Sequence, residues 1–313
     1  MKSYLNKNLE GVKKIYFNQI DKERNIYELA TLFQQKRRPV EEYLYLLKDP
    51  LSNRQLSIKG EKLVGDNSYS IYDNIPNFTS SNINSNNWEK LNEQFLHYHK
   101  SLSVYSAINS SPIINYLSLE TEMGLIKNKK VLDIGGGTGH TFCSFFLFPE
   151  TIEYFLLDPN LRLLHDQFLR FYPKLGILKM AHILANAENL PIKDDSFGVV
   201  ISLSSIDHFD DYKKFISEAY RVLKPGGKFL ISSHLDLPPD RIENPSIFDK
   251  IFSDTFFERL SRFFYYKKNK VGNDDHTLSL KTTNPIKNAL ERSNFKILKE
   301  ETFKRHFFLI AEK

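Results

Sequence analysis

The sequence contains a single cysteine, Cys143, in 313 residues. One thiol can form neither an internal disulfide nor a cysteine-based zinc site, and its scarcity suits a reducing compartment. Long apolar runs are absent too, because no stretch approaches the roughly 18 residues that a membrane span needs. The first residues, "MKSYLNKNLEGVKK", are polar and lack the apolar centre of a secretory signal. We therefore expect a cytoplasmic protein without a transmembrane segment.

A strong excess of charge of one sign is also missing. The formal net charge is +5, from 43 Lys and Arg against 38 Asp and Glu. This mild positive balance permits contact with nucleic acid or an acidic membrane surface but requires neither. The dense basic patches are "QQKRRP" at residues 34–39 and "YYKKNK" at residues 265–270. With 41% hydrophobic residues, the composition is that of an ordinary globular protein with a sizeable core.

The pattern of residues divides the chain into four regions. Residues 1–40 carry apolar side chains at helical spacing and predict N-terminal helices. Residues 41–80 contain short β-type runs separated by glycine turns, which predict a small β module. Residues 81–128 begin with the polar linker "SSNINSNN" and continue as predicted helices that cap the next region. Residues 129–313 form the last and largest region.

In that last region, β-type runs alternate with helical patterns. The runs "KVLDIGG", "EYFLLD", "FGVVISL" and "GKFLISS" are apolar and short enough for strands. Between the last two lies "YKKFISEAYRVL", which predicts a helix with one apolar stripe. The stripe consists of Phe215, Ile216, Ala219, Val222 and Leu223. Alternating strands and helices predict an α/β fold with a parallel sheet covered on both faces.

A glycine-rich junction follows the first of these strands. Gly135, Gly137 and Gly139 lack a Cβ, so the backbone can take positive φ and come close to a ligand. The N-terminus of a following helix offers N–H groups to such a ligand. The next predicted strand ends in Asp158, about 25 residues beyond Asp133, where an acid can accept both ribose hydroxyls. The pattern predicts a nucleotide or nucleoside cradle, with a tight structural turn as the alternative.

Four motifs in order carry a family resemblance: "VLDIGGGTG", "LLDPN", "NAENLPIKDDSF" and "AYRVLKPGGKFLIS". Together they resemble the class I S-adenosylmethionine-dependent methyltransferases, in the group that includes the quinone-biosynthesis C-methyltransferases. The resemblance covers residues 129–235, with a compatible tail to Lys313. It implies a Rossmann-like, doubly wound, seven-stranded and mostly parallel sheet. It also implies S-adenosylmethionine as the cofactor and S-adenosylhomocysteine as the product.

The same resemblance implies the residues that hold the cofactor. Gly135 and Gly137 would approach its methionine part, Asp158 its ribose, and Ala187 with its neighbours its adenine. The family often has aspartate in place of Asn186, whose side-chain oxygen can still accept the adenine amino group. Gly198 also replaces a usual aspartate. The full set expected to bind the cofactor is Asp133, Gly135, Gly136, Gly137, Asp158, Pro159, Asn186, Ala187, Glu188, Ser202 and Leu203.

Candidate catalytic residues follow the fourth and fifth strands of the resemblance. In open α/β sheets, ligands lie beyond the carboxyl ends of the strands, which points to Asp207, His208 and His234. Methyl transfer from a sulfonium needs an aligned nucleophile, and a base only where the acceptor must lose a proton. Histidine has the pKa range of a base near neutral pH. The alternative for His208 is a packing role with a hydrogen bond to the backbone.

A long connection, residues 236–280, follows the fifth strand. It contains "SIFDKIFSDTFFERLSRFFYYKKNK", whose apolar residues recur at helical spacing. An insertion at this place would lie over the acceptor pocket as a helical lid. A homodimer contact and an aromatic-basic helix facing a lipid surface are the alternatives.

The β module resembles a small zinc-ribbon-like domain that occurs as a methyltransferase activator and also fused to methyltransferases. That family opens with cysteine-proline-x-cysteine, where this chain has Asp49, Pro50 and Ser52. The closing residues match the family pattern: Tyr69, Ile71, Ile75 and Pro76. Because the metal cysteines are missing, we expect no zinc or other metal in the protein.

The predicted function is transfer of a methyl group from S-adenosylmethionine to an O, N or C atom of a small molecule. An RNA base methyltransferase is the second hypothesis, because some of these enzymes also carry a ribbon-like front domain. Nucleic acid is the less favoured partner, since the basic residues are scattered. The third hypothesis is a catalytically idle cofactor-binding subunit that serves as a partner or scaffold.

Overall fold

The computed structural model describes residues 38–79, 129–137, 153–159, 181–236, 278–303 and 306–313. Several predictions fall outside these ranges. They concern most of the N-terminal helices, the linker and helices of residues 81–128, and nearly all of the expected lid.

The first described stretch, residues 38–79, is called the front module below. Two 3-10 turns, Val40–Glu42 and Leu44–Leu46, precede four short strands. The strands are β1 (Ser57–Lys59), β2 (Lys62–Val64), β3 (Ser68–Tyr72) and β4 (Ile75–Pro76). They pair in sequence order, each antiparallel to its neighbour. The short β runs expected between residues 41 and 80 are therefore present.

A larger sheet contains the other seven described strands. They are β5 (Lys130–Ile134), β6 (Glu153–Asp158), β7 (Ala181–Leu184), β8 (Phe197–Leu203), β9 (Leu223–His234), β10 (Lys296–Phe303) and β11 (His306–Glu312). Their order across the sheet is β10-β11-β9-β8-β5-β6-β7. All described pairings are parallel except those of β11, which runs antiparallel to β9 and to β10. This confirms the expected Rossmann-like, mostly parallel α/β sheet.

The central strands are apolar along nearly their whole length. This is the pattern expected of a sheet whose faces are covered by other elements of the chain. Tyr154, Phe155, Leu156 and Leu157 of β6 are fully buried, as expected for a parallel strand inside an α/β protein. The helix α1 (Tyr212–Val222) connects β8 to β9 and buries the predicted stripe. A second helix, α2 (Asn284–Arg292), precedes β10 and carries Pro285 in its first turn.

The front module and the large sheet share one hydrophobic core. Tyr43, Leu47 and Leu63 of the module are fully buried in the same cluster as Phe155 and Ile183 of the sheet. The Tyr43 ring meets the Phe155 ring edge-on, with 5.8 Å between centroids. The front module therefore packs directly against the large sheet and has no separate hydrophobic core among the described residues.

Gly198, where the family usually has aspartate, lies at an irregular point of β8. The pairing between β8 and β9 shifts register between Phe197 and Val199. A Cβ on Gly198 would lie 3.0 Å from Lys129 Cδ. Glycine in a strand commonly marks such a shift or a close approach, so this departure has a structural account.

Candidate active site

The glycine turn begins where β5 ends. Gly135 has φ +71° and Gly137 has φ +53°, so both adopt the left-handed conformation that favours glycine. A Cβ on Gly135 would lie 2.7 Å from Ser205 Cβ, and one on Gly136 would lie 2.7 Å from Asp133 Oδ2. Residues without a Cβ are therefore required at positions 135 and 136 by the packing of the protein itself.

Asp158 meets this turn from the neighbouring strand. It is the last residue of β6 and is 6% exposed. The Gly137 N–H donates a hydrogen bond to Asp158 Oδ2 at 2.9 Å. A carboxylate is the type of group that can accept ribose hydroxyls, and this use of Asp158 stays a prediction. Pro159 follows directly, exposed at the same edge.

Asp133 lies buried in β5 below the turn. The Tyr154 hydroxyl donates a hydrogen bond to Asp133 Oδ2, whereas Asp133 Oδ1 has no hydrogen-bond partner among the described residues. Burial raises the pKa of Asp133 to about 7, the Tyr154 hydrogen bond opposes this shift, and the charge of Asp158 adds to it. A buried carboxyl with an unsatisfied oxygen beneath a glycine turn suits a cationic ligand.

Residues 185–190, called the 185–190 loop below, follow β7 and carry the positions assigned to adenine. The Ala185 N–H donates to the Asp158 carbonyl oxygen at 3.3 Å, which joins the loop to the end of β6. Asn186 is exposed, whereas Ala187 is buried. The Glu188 carboxylate accepts the backbone N–H groups of Asp210 and Asp211, so it serves the turn before α1.

The carboxyl end of β8 completes this edge of the sheet. Ser202 Oγ lies 2.8 Å from Ser205 Oγ, which in turn donates to the carbonyl oxygen of Ile134 at 3.3 Å. Leu203 ends the strand, and Ser204 has φ +53°. The ends of β5, β6, β7 and β8 thus bring the predicted cofactor residues to one edge, and their roles in binding stay predictions.

The predicted catalytic residues lie at the same edge. Asp207 and His208 belong to a 3-10 turn, Ile206–His208, directly after β8, and Asp207 is 5% exposed. His234 is the last residue of β9, the parallel neighbour of β8, and is exposed. The Leu278 N–H donates to the Asp207 carbonyl oxygen at 3.2 Å.

The two ends of the expected lid also meet here. The Asp236 N–H donates to the Leu280 carbonyl oxygen at 2.6 Å, and Ser279 Oγ donates to Asp236 Oδ2 at 2.9 Å. The described residues on either side of the segment 237–277 are therefore neighbours at the carboxyl edge of the sheet. This position agrees with an insertion above the acceptor side, and the lid itself stays a prediction.

Three side chains with contacts in this region were not predicted from the sequence. His306 on β11 lies opposite His234, with 3.9 Å between the ring centroids. On α1, Glu218 Oε2 accepts the Leu190 N–H at 2.8 Å, and Arg221 donates to the Leu190 and Ile192 carbonyl oxygens at 3.1 and 2.6 Å. The one available signal was the spacing of three residues between Glu218 and Arg221 on a helix. This spacing indicates an ion pair between the two side chains but does not indicate their contacts with the backbone of Leu190 and Ile192.

In the front module, Asp49 stands where the ribbon family has a metal cysteine. Its fully buried carboxylate accepts the N–H groups of Leu51, Ser52 and Asn67, the Asn67 side-chain amide and the Tyr69 hydroxyl. Burial opposes ionisation, yet the bonds from Tyr69, Leu51 and Asn67 hold the pKa of Asp49 well below its usual range. The Asp49 carboxylate thus joins its own turn to the segment that carries Asn67 and Tyr69.

Two features are absent from the described residues. Those residues contain no group of three or more His, Cys, Asp and Glu side chains arranged to bind a metal ion. None of the described helices combines the length and hydropathy that crossing a bilayer requires.

Comparison with known proteins gives a family match. Residues 132–231 match the family described as "Methyltransferase domain". Over 105 residues the chain is 34% identical to the uncharacterized methyltransferase YcgJ of Bacillus subtilis (strain 168), covering 34% of this chain and 40% of that protein. Over 109 residues it is 35% identical to the ubiquinone/menaquinone biosynthesis C-methyltransferase UbiE of Pectobacterium carotovorum subsp. carotovorum (strain PC1), covering 34% and 43%.

Among solved structures, the chain is similar to a SAM-dependent methyltransferase from Aquifex aeolicus, with 17% identity, a TM-score of 0.45 and coverage of 62% of this chain and 87% of that one. The chain spans less than half the length of each of the two curated relatives named above. The resemblance of residues 132–231 to methyltransferase domains is confirmed, and the match leaves the front module outside it.

Proposed function

We propose that the chain, whose residues 132–231 match a methyltransferase domain, transfers a methyl group from S-adenosylmethionine to an O, N or C atom of a small molecule. The observation that carries the proposal is the shared edge of β5 to β8. There the glycine turn, Asp158 and the 185–190 loop are joined by the Gly137 and Ala185 hydrogen bonds to Asp158. A cytoplasmic location stays a prediction.

The residues at this edge fit the proposed cofactor. The glycine turn presents backbone to its methionine part, and the Asp158 carboxylate has the capacity to accept its ribose hydroxyls. Asn186, exposed on the loop, offers a side-chain oxygen to the adenine amino group. Asp133 lies buried beneath the glycine turn with one unsatisfied oxygen, and a cationic group bound beside it would favour its ionised form. When bound, the cofactor supplies an activated methyl group on a sulfonium.

The chain's own contribution to the reaction is mainly to hold and align the acceptor. Proximity and orientation account for most of the acceleration that such a displacement requires. Where the acceptor must lose a proton, His208 or His234 would take it, since His208 follows β8 and His234 ends β9 at the cofactor edge. Asp207, buried in the same turn as His208, would help to orient the acceptor.

The test of this proposal is isothermal titration with S-adenosylmethionine and S-adenosylhomocysteine. The wild-type chain should bind both. Asp158→Ala should weaken binding by about 1–3 kcal/mol, because it removes a charged acceptor and the support of Gly137. Asp66→Ala, which removes an exposed carboxylate paired with Arg54 in the front module, is the matched control and should leave binding unchanged. Equal affinities for Asp158→Ala and wild type would remove Asp158 from the site.

A further inference from the structure

The front module contacts the cofactor edge at an unexpected place. The Phe78 N–H donates to the Leu184 carbonyl oxygen at 2.7 Å, and Asn77 pairs with Leu184 as a parallel strand would. Leu184 is the last residue of β7, directly before the 185–190 loop. The module therefore forms a bridge to the edge strand β7 and binds the first end of the loop.

The second end of the loop is bound by the same module. The Lys48 N–H donates to the Pro191 carbonyl oxygen at 3.0 Å, and the Lys193 N–H donates to the Leu46 carbonyl oxygen at 2.8 Å. Leu47 lies between them and pairs with Ile192 as an antiparallel bridge. Hydrogen bonds from one module thus fix the backbone on both sides of the loop.

These contacts lie on both sides of the 185–190 loop, so a small displacement of the loop backbone would change how it meets a bound cofactor. Between the two fixed ends, the loop carries exposed Asn186 and buried Ala187, the positions assigned to adenine. The Tyr43 hydroxyl adds a further bond to β7, donating to the His182 carbonyl oxygen at 3.3 Å. On the opposite side, the Glu218 and Arg221 side chains hold Leu190, so the loop lies between the module and α1.

We propose that the front module positions the 185–190 loop, so that the module sets the affinity and adenine selectivity of the cofactor site. This inference rests on the proposed function. Loop residues held in their binding conformation lose less conformational freedom when a ligand binds, which raises affinity. A module that merely fills space would support stability but would not change the selectivity for adenine.

The test compares two variants at one position. Lys48→Pro removes the N–H that binds Pro191, and the extended conformation of Leu47 is compatible with a following proline. Lys48→Ala is the control, because it keeps that N–H and removes only the side chain that contacts Asp194. Titration with S-adenosylhomocysteine should give roughly tenfold weaker binding for Lys48→Pro, the effect of a lost hydrogen bond of about 1.4 kcal/mol. Lys48→Ala should bind like wild type.

Selectivity separates positioning from simple support. S-inosylhomocysteine carries a carbonyl in place of the adenine amino group, so the wild type should bind it more weakly than S-adenosylhomocysteine. In Lys48→Pro, the ratio of the dissociation constants for S-inosylhomocysteine and S-adenosylhomocysteine should be smaller than in the wild type. Unchanged affinity and unchanged ratio in Lys48→Pro would overturn the inference and leave the proposed function intact. A wild-type chain that binds neither ligand would remove the proposed function, and the inference with it.

If Lys48→Pro does not fold, hydrogen exchange of the wild-type chain tests whether the front module and the cofactor site are coupled. Coupling between two sites is reciprocal, so a ligand whose affinity depends on the module must stabilise the module in return. Hydrogen exchange at the Lys48 and Phe78 amides should slow when S-adenosylhomocysteine is added. Protection confined to the glycine turn and the 185–190 loop would contradict the inference.

Discussion

Asp133 lies in an environment far from that of an ordinary exposed carboxyl group. It is fully buried in β5, where the Tyr154 hydroxyl is its hydrogen-bond donor among the described residues. Burial raises the pKa of Asp133 to about 7, against an ordinary value of 3.8. Because the folded state holds the proton more tightly, the contribution of this group to stability is complete below about pH 4. It is lost as the pH rises through about 7.

The Asp133→Asn variant tests this residue without cofactor. Asparagine cannot ionise, so wild type should lose stability relative to the variant between pH 5 and pH 8.5. The expected change in the difference is about 2–4 kcal/mol, from a shift of about three pKa units. Urea unfolding at the two pH values measures it. Asp66→Asn, at an exposed ion pair, is the control, and curves for Asp133→Asn that stay parallel to wild type would refute the assignment.

At the scale of elements, α1 supports the site with its polar face while its apolar stripe packs on the sheet. Arg221 donates to Leu190, Ile192, Asp194 and Glu218. Arg221→Ala should destabilise the protein by about 2–3 kcal/mol, because several partners of a charged donor are left unsatisfied. Lys214→Ala, exposed on the same helix, should change stability by less than about 0.5 kcal/mol. Equal urea midpoints for the two variants would contradict this role.

The same scale shows how far the sequence could predict the fold. The runs 153–158 and 197–203 are strands with the predicted ends, because continuous apolar residues mark strands inside a parallel sheet. The four-residue strand β7 was not singled out, since "AHIL" is too short to give a periodic signal. The hydrogen bonds from the front module to Leu184 and Pro191 join backbone atoms of residues more than 100 positions apart in the sequence. Backbone pairing of this kind does not depend on particular residue types, so the sequence could not predict it.

The candidate site likewise contains residues that could be predicted from the sequence and one that could not. Gly135, Gly137 and Asp158 were predicted to lie together, and the Gly137 bond to Asp158 brings them into contact. That prediction was within reach because strand ends of a parallel sheet share an edge. The pairing of His234 with His306 depends on the register of an antiparallel strand at the end of the chain. A register is fixed by packing across the sheet, so His306 could not be assigned beforehand.

At the scale of the whole molecule, the shared core decides whether the front module is separable. Leu47 is fully buried in the cluster that also contains Phe155 and Ile183, whereas Leu51, four residues later, is 70% exposed. Leu47→Ala should destabilise the protein by about 2–5 kcal/mol, the range for removing a buried leucine side chain. Leu51→Ala should have little effect, because its side chain already faces water.

Hydrogen exchange distinguishes one cooperative core from two. If the module and the sheet unfold together, Leu47→Ala should speed exchange at the Leu63 amide in β2 and at the Phe155 amide in β6 by similar factors, because both amides open through the same unfolding event. Faster exchange in β2 with unchanged exchange in β6 would instead mean that the module opens alone. In that case, the hydrogen bonds to Leu184 and Pro191 would break while the large sheet stays folded, and the module could act as a reversible cover of the β7 edge.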